Sequence, residues 1–152
     1  FQHFVRQDLP REKFYRENAL VVCGVVPVED LSQIKKTYSI LHDSTTNRVI
    51  RLVEKPRNPL NNLMGTGNCI FRKEIIDYID MTPINQQRGE KELPDFIQCA
   101  IDDGQTVLYH VISSTYVNVN APDDVTIIGN KLKDLGDNGE KNSNNQDVSN
   151  IM

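Results

Sequence analysis

The strongest hydrophobic pattern along the chain is the uninterrupted apolar run ALVVCGVVPV, at positions 19–28. A run this rich in β-branched residues predicts a strand that is covered on both faces, as in the central sheet of an α/β domain. Gly24 within the run predicts a bulge or the close approach of another backbone segment. Residues 1–18 have an amphipathic pattern instead, and Pro10 followed by REKFYREN indicates a helix.

Two strand-like segments follow, and a short polar turn separates them. Residues 37–43 and 48–55 flank the short polar stretch STTN, so together they predict a β-hairpin. Residues 56–65 contain two prolines and three asparagines, a composition that predicts a loop. Residues 66–72 then predict a short strand, which would complete this half of the chain.

The second half of the chain alternates between helical and strand-like patterns, with a polar loop predicted at 82–91. Helices are indicated by apolar residues at helical spacing, by prolines in first turns and by glycines at ends. The predicted order is helix 73–81, helix 92–104, strand 106–112, strand 115–120 and helix 121–136. Helices that alternate with strands, together with one hairpin, predict the α/β class with a mixed sheet.

The last residues, 136–152, are rich in asparagine and almost free of apolar side chains. This composition predicts a disordered tail or the start of a linker. At the other end the chain begins with Phe1 rather than methionine, so we expect a natural gene product to carry residues before it.

Composition narrows the possible function. Hydrophobic residues make up 38% and charged residues 25% of the chain, and the net charge is −4, which together predict a soluble globular protein that binds neither nucleic acid nor anionic lipid. No apolar run is long enough to cross a membrane, and the N-terminus lacks the apolar core of a signal peptide. Three widely separated cysteines, Cys23, Cys69 and Cys99, predict reduced, buried structural thiols and a cytoplasmic location.

The first candidate for chemistry is Glu54-Lys55-Pro56, at the end of the predicted hairpin. A proline favours an extended conformation of the residue before it, so Lys55 is expected at a strand terminus. A lysine ammonium suits a phosphate, and a glutamate accepts hydrogen bonds from sugar hydroxyls. Neighbouring residues of an ideal strand point to opposite faces, so their joint use requires a twisted strand end. The alternative is a strand end with two solvated charges.

Two further segments carry candidate residues. Thr66 and Gly67 open the next predicted strand, where a glycine allows either the approach of a ligand or a simple loop-to-strand transition. Arg88 precedes the helix that begins near Leu93, so it is a candidate phosphate clamp beside the first amides of that helix. Acidic residues at this helix start are explained as well by the helix dipole; they are Glu92 and Asp95.

Asn118 and Asn120 lie at the end of the predicted strand 115–120, the position at which α/β sheets place their sites. An asparagine carbonyl oxygen is a ligand for a hard cation such as magnesium. Alternatively, these asparagines form an Asx-turn before the helix that Pro122 begins.

The order of these motifs resembles that of the sugar-phosphate nucleotidylyltransferases, also called nucleotide-sugar pyrophosphorylases. The motifs are VCGVVPVED, V-E-K-P, T-G-x-x-x-F, G-E-x-E-L-x-D and V-N-V-N-x-P-D-D. The family includes glucose-1-phosphate thymidylyltransferases and mannose-1-phosphate guanylyltransferases, and the resemblance extends from about residue 19 to 130. It implies a Rossmann-like nucleotide-diphospho-sugar transferase fold, present as a partial domain in which residues 1–135 form the C-terminal, sugar-phosphate-binding half.

The resemblance also implies a reaction and a set of residue roles. In this family an oxygen of a sugar 1-phosphate attacks the α-phosphorus of a nucleoside triphosphate, with Mg²⁺ as cofactor, and pyrophosphate leaves. Glu54 would bind sugar hydroxyls, Lys55 would bind the sugar phosphate, and Thr66 and Gly67 would line the sugar site. The catalytic candidates are Lys55 and Arg88, the metal ligand would be Asn118, and a homo-oligomer is one possible assembly.

The sequence departs from the family pattern in three places. The family's N-terminal glycine-rich loop, which binds the triphosphate, has no counterpart here, so we expect this chain to be inactive by itself. Asn118 stands where many members have aspartate, and Ser39 follows Tyr38 where glycine is common, which predicts a narrower sugar site. Two alternatives stay open: a non-catalytic sugar-phosphate-binding or regulatory domain of the same fold, and an unrelated structural module.

Overall fold

The computed structural model describes residues 11–114 together with positions 125 and 129. The chain divides into two units, Phe1–Thr115 and Tyr116–Met152. In the second unit the two described positions are helical, in agreement with the predicted helix 121–136, whose other residues lie outside the described part. The predicted strand 115–120 and tail 136–152 lie there too, and the domain boundary at residue 135 stays a prediction.

The first unit alternates helices and strands as the sequence predicts. Between residues 11 and 114, its two α-helices and five strands are α1 (Arg11–Arg16), β1 (Val21–Pro27), β2 (Tyr38–Asp43), β3 (Arg48–Glu54), β4 (Leu63–Phe71), α2 (Leu93–Asp102) and β5 (Val107–Val111). Two 3₁₀-helices, Leu31–Lys36 and Lys73–Tyr78, lie in the same part of the chain.

The five strands form one mixed sheet in the order β1-β4-β2-β3-β5, which closes on itself because β5 also pairs with β1. The β1–β5 pair is parallel, whereas β1–β4, β2–β4 and β2–β3 are antiparallel. The predictions of an α/β fold with a mixed sheet and of a hairpin over 37–55 are therefore confirmed. β1 is buried along almost its whole length, as its uninterrupted apolar sequence predicts.

Apolar side chains cover both faces of the sheet. One face packs against α2 through Ile97 and Ala100 and against the second 3₁₀-helix through Ile75 and Tyr78. The other face packs against α1, where the buried side chain is Phe14. A polar side chain joins helix to sheet, because the Gln98 carbonyl accepts the backbone N–H of Leu52 at 2.8 Å. This bond satisfies a donor of β3 that no strand reaches.

Two boundaries differ from the predictions. β4 begins at Leu63, inside the predicted loop, because Met64 and Gly65 pair with β1 and β2. The predicted helix 73–81 is a 3₁₀-helix that ends at Tyr78. The side chains that it buries, Ile75 and Tyr78, lie three residues apart. Because a 3₁₀-helix has 3.0 residues per turn, residues at this spacing lie on the same side of it.

The 3₁₀-helix at Leu31–Lys36 was not predicted. Asp30 caps it by accepting the backbone N–H of Ser32 at 2.9 Å and the Ser32 hydroxyl at 2.6 Å. The sequence Asp30-Leu31-Ser32 is a capping signal, but a search for longer helices misses it.

The expectation for Gly24 is confirmed on both counts. The β1–β4 register shifts between Cys23 and Val25, and a Cβ at position 24 would lie 2.8 Å from the Asn68 carbonyl oxygen. The three cysteines are free thiols as predicted, but only Cys23 is buried, whereas Cys69 and Cys99 are half-buried. Within residues 11–114, no helix has the length and apolar character needed to cross a membrane.

Candidate functional site

The candidate site is organised by one row of residues across the sheet. Tyr38 on β2 lies opposite Glu54 on β3 and opposite Gly65 on β4, and Gly65 lies opposite Val25 on β1. Residues that lie opposite each other in antiparallel strands project from the same face. Glu54, Tyr38 and Gly65 therefore lie side by side on the face that packs against α2.

Lys55 departs from the extended conformation that Pro56 predicts for it. Its φ angle is +43°, in the left-handed region that is strained for a residue with a Cβ. A backbone hydrogen bond holds this conformation, because the Lys55 N–H donates to the Thr37 carbonyl at 2.6 Å. The prediction of an extended Lys55 is wrong, since this bond outweighs the local preference of a residue before proline.

The left-handed turn at Lys55 brings two neighbouring side chains to the same side of the strand end. Lys55 Nζ lies 3.6 Å from Glu54 Oε1, although consecutive residues of an ideal strand point apart. The Lys55 side chain stays 41% exposed, whereas that of Glu54 is 19% exposed. The pair therefore offers a partly shielded acceptor and an accessible cation to one ligand.

Arg88 joins the site by ion pairs with three glutamates. Its Nη1 atom lies 2.6 Å from Glu92 Oε1 and 3.5 Å from Glu54 Oε1, and its Nε atom lies 3.3 Å from Glu90 Oε1. Sequence reasoning singled out Arg88 and Glu54 but treated Glu92 as a helix-start charge. Because carboxylates engage the Nη1 and Nε atoms of this guanidinium, a phosphate that bound these two atoms would have to replace one of the carboxylates.

A turn before α2 holds Arg88 in place. The Asn85 N–H donates to the Glu90 carbonyl, and the Gly89 N–H donates to the Asn85 carbonyl, both at 2.8 Å. Gly89 has a φ angle of +70°, which a glycine adopts without strain. Glu92 occupies the N-cap position of α2 without capping it, so its carboxylate is directed toward Arg88 instead.

The carboxylates in the site influence one another. Burial raises the pKa of the Glu54 carboxyl above its ordinary value, and the charge of Glu92 raises it further against the opposing effect of Lys55 and Arg88. Burial and Glu92 also raise the pKa of Asp95 in the first turn of α2. This balance of charges suits a ligand that brings hydroxyl donors to the carboxylates as well as an anion to Lys55.

Thr66 and Gly67 lie in a bulge of β4, where residues 66–68 face the single residue Gly24 of β1. The Thr66 hydroxyl donates to the Gly24 carbonyl at 3.0 Å, and the Asn68 amide donates to Thr66 Oγ1 at 3.0 Å. Gly67 has a φ angle of +78° and open space where a Cβ would point. Bulges are common beside active sites, where they redirect side chains.

The Tyr38 ring connects the bulge with the strand end that carries Glu54. It is buried against Gly65, and its hydroxyl has no partner in full hydrogen-bonding geometry, with the thiols of Cys23 and Cys69 as its neighbours. Ser39 lies on the opposite face, where its hydroxyl accepts the Leu60 N–H at 3.3 Å. This contact fastens the loop before β4, and it directs the Ser39 side chain away from Glu54.

The predicted magnesium ligand, Asn118, lies outside the described residues. Among residues 11–114 and positions 125 and 129, no group of three or more His, Cys, Asp or Glu side chains is arranged to hold a metal ion. Because Asn118 lies outside the described residues, magnesium binding stays a prediction.

A family model described as nucleotidyl transferase matches residues 3–136, most of the chain. Among curated proteins, the low-salt glycan biosynthesis nucleotidyltransferase Agl11 of Haloferax volcanii is 32% identical over 77 residues, 51% of this chain and 21% of that protein. The bifunctional protein GlmU of Methanocaldococcus jannaschii is 44% identical over 57 residues, 38% of this chain and 14% of that protein. The chain thus spans about a fifth or less of these relatives.

Solved structures share the fold at low identity. A UDP-glucose pyrophosphorylase in complex with UDP-glucose matches 81% of this chain and 47% of its own, with a TM-score of 0.68 and 13% identity. A glucose-1-phosphate thymidylyltransferase from Bacillus anthracis matches 93% and 50%, with a TM-score of 0.60 and 16% identity. The Rossmann-like fold is therefore confirmed, and the chain spans about half of these structures.

Proposed function

Because this chain belongs to the nucleotidyl transferase family, we propose that it forms the sugar-phosphate-binding part of a sugar-1-phosphate nucleotidyltransferase. In the proposed reaction, a phosphate oxygen of a hexose 1-phosphate attacks the α-phosphorus of a nucleoside triphosphate. A new P–O bond forms, the bond to the β-phosphate breaks, and pyrophosphate leaves with a nucleotide-sugar as the other product. Catalysis of this kind depends on positioning and on offsetting charge.

The observation that carries the proposal is the joint orientation of Glu54 and Lys55. The left-handed backbone at Lys55 brings an acceptor and a cation within 3.6 Å of each other at a strand end. A hexose 1-phosphate presents hydroxyl donors and an anion a few ångströms apart, so one such ligand matches both groups. In this assignment Glu54 accepts from the sugar hydroxyls, and Lys55 offsets the charge of the phosphate.

The other candidate residues complete this site. Arg88 orients Glu54 and Glu92, and it becomes available to the phosphate when the ligand displaces a carboxylate. Thr66 stabilises the bulge through Gly24, and the open space at Gly67 leaves room for the sugar ring beside the backbone. An acidic and partly shielded site of this type recognises polar sugar rings through hydrogen bonds to their hydroxyls.

Calorimetry on the full chain tests the proposal, with a panel of hexose 1-phosphates and the corresponding free hexoses as ligands. We expect Lys55→Ala to weaken binding of the sugar phosphate about 10- to 100-fold, the value of a hydrogen bond to a charged group. Binding of the free hexose should change little. The matched control is Lys73→Ala, which removes another exposed lysine ammonium, from the 3₁₀-helix after β4.

Two outcomes would refute these roles. Either no hexose 1-phosphate of the panel binds, or Lys55→Ala and Lys73→Ala weaken binding equally. The chain alone should bind a hexose 1-phosphate, and turnover should occur only when a nucleotide-binding segment is supplied. This result would support the assignment of the chain to one part of an enzyme.

A further inference from the structure

Cys23 and Cys69 lie directly opposite each other in the antiparallel β1–β4 pair. Opposite residues of such a pair have Cα atoms about 4.5–5.5 Å apart. A disulfide bridges Cα atoms separated by about 4.4–6.8 Å, so the ladder already holds these two residues at bridging distance. Both side chains lie on the face that packs against α2, and both are free thiols in the structure.

The surroundings of the two sulfur atoms give them different roles. The Cys23 thiol makes the largest contribution to lowering the pKa of the Cys69 thiol, and the nearby Tyr38 hydroxyl and the Gly24 backbone N–H lower it further. The bond to Cys69, together with complete burial, raises the pKa of Cys23. The lowered pKa and the partial exposure of Cys69 favour it as the nucleophile of the pair.

We propose that Cys23 and Cys69 form a peroxide-sensitive thiol pair that closes into a disulfide between β1 and β4. In the first step the Cys69 thiolate attacks one oxygen of hydrogen peroxide. The O–O bond breaks, Cys69 becomes a sulfenic acid, and the departing hydroxide takes up a proton to leave as water.

In the second step Cys23 loses its proton and its sulfur attacks the sulfenic sulfur of Cys69. The S–O bond breaks, the disulfide forms, and the hydroxyl group leaves as a second water molecule. The two thiols are oxidised by two electrons in total, and one peroxide molecule is reduced to two molecules of water.

The site of this bond lies at the edge of the bulge that contains Thr66 and Gly67. The proposal is independent of the proposed function, because disulfide formation requires only the two thiols and peroxide. Cys99 provides an internal control: it is a half-buried thiol on α2 whose neighbour is the Met81 carbonyl oxygen rather than another thiol.

The test exposes the reduced full chain to hydrogen peroxide and then blocks the remaining thiols with an alkylating reagent under denaturing conditions. Reduction and a second, isotopically labelled reagent then mark the oxidised positions in a peptide map. We expect two of the three alkylatable thiols, Cys23 and Cys69, to be lost together and recovered by dithiothreitol. Cys99 should stay alkylatable, and a peptide that joins positions 23 and 69 should appear before reduction.

Two variants separate the steps. Cys23→Ala should stop the reaction at a Cys69 sulfenic acid, which a 1,3-diketone probe traps, and Cys69→Ser should leave Cys23 reduced. Oxidation of Cys69 while Cys23 stays alkylatable would overturn the proposal. The same holds if the Cys99 thiol is oxidised as fast as the Cys69 thiol. The wild-type peptide map decides the question even when a core variant folds poorly.

Discussion

The ring of Tyr38 covers Gly65 so closely that a Cβ at position 65 would lie 2.1 Å from the Tyr38 Cε2 and Cζ atoms. The ring is buried, and the strand pairing fixes it between β3 and β4. Gly65→Ala should therefore lower the free energy of unfolding by about 1–3 kcal/mol, the usual cost of overpacking a core. Urea denaturation of the two proteins measures the difference.

A double-mutant cycle identifies the cause of this loss. In a Tyr38→Leu background, which removes the ring, Gly65→Ala should cost only a few tenths of a kcal/mol, as expected when the colliding partner is absent. An equal cost in both backgrounds would show that the ring is not responsible.

Local signals in the sequence were sufficient for most of the fold. The hairpin 37–55 and helix α2 were predicted, because turn residues, prolines and apolar spacing act within each segment. The start of β4 was not predicted, because Met64 and Gly65 become strand residues only through pairing with β1 and β2. Pairing between distant strands leaves little trace in the paired segments themselves.

In the candidate site, too, local sequence predicted some features, whereas others depend on contacts between distant segments. Glu54, Lys55 and Arg88 were recognised by residue type and order, but the contact between Arg88 and Glu92 depends on how the turn before α2 folds. The conformation of Lys55 was predicted wrongly, because a hydrogen bond to Thr37 overrides the preference that Pro56 imposes. The resemblance to the family drew attention to the Tyr38-Ser39 pair, but the contact of the Tyr38 ring with Gly65 follows from strand register alone.

Lys55 combines backbone strain with the proposed phosphate contact, so stability and binding should respond in opposite directions to one substitution. The left-handed conformation costs a residue with a Cβ about 1–2 kcal/mol, and the greater chain entropy of glycine costs about 0.5–1 kcal/mol. Lys55→Gly should therefore raise the free energy of unfolding by about 0.5–1 kcal/mol while it weakens binding of hexose 1-phosphates. Denaturation and calorimetry on the same preparation measure both effects.

Lys55→Ala is the matched control, because it removes the same ammonium group but keeps a Cβ at a φ angle of +43°. It should weaken binding as much as Lys55→Gly does without any gain in stability. A glycine variant no more stable than the alanine variant would show that the backbone at this position is not strained.

Gly67 tests whether the bulge contacts the sugar. Its φ angle is positive and the space around it is open, so Gly67→Asn should fold with nearly unchanged stability, because asparagine tolerates the left-handed region. The new side chain would occupy the space assigned to the sugar ring, and binding of hexose 1-phosphates should weaken several-fold. Gly104→Asn, at a similarly open position with a φ angle of +80° after α2, should leave binding unchanged. Equal affinities of these two variants would remove Gly67 from the site.

The mutual influence of the glutamates predicts a pH dependence. Folding raises the pKa of Glu54 and Asp95, so the folded state binds these protons more tightly than the unfolded state does. Their contribution to stability therefore decreases as the pH rises from the ordinary carboxyl range through the raised values. Glu92→Gln removes one charge that contributes to both shifts, so both pKa values should fall toward their ordinary range, and this decrease in stability should become smaller.

Glu90→Gln separates this electrostatic effect from the loss of an ion pair with Arg88. Glu90 also pairs with the Arg88 guanidinium, at 3.3 Å, but it does not contribute to the raised pKa of Glu54 or Asp95. Carboxyl-carbon NMR titrations should show lower pKa values in Glu92→Gln and nearly unchanged values in Glu90→Gln. If Glu54 and Asp95 titrated equally in the two variants, the charge of Glu92 would have no effect on their pKa values. Burial alone would then raise both values.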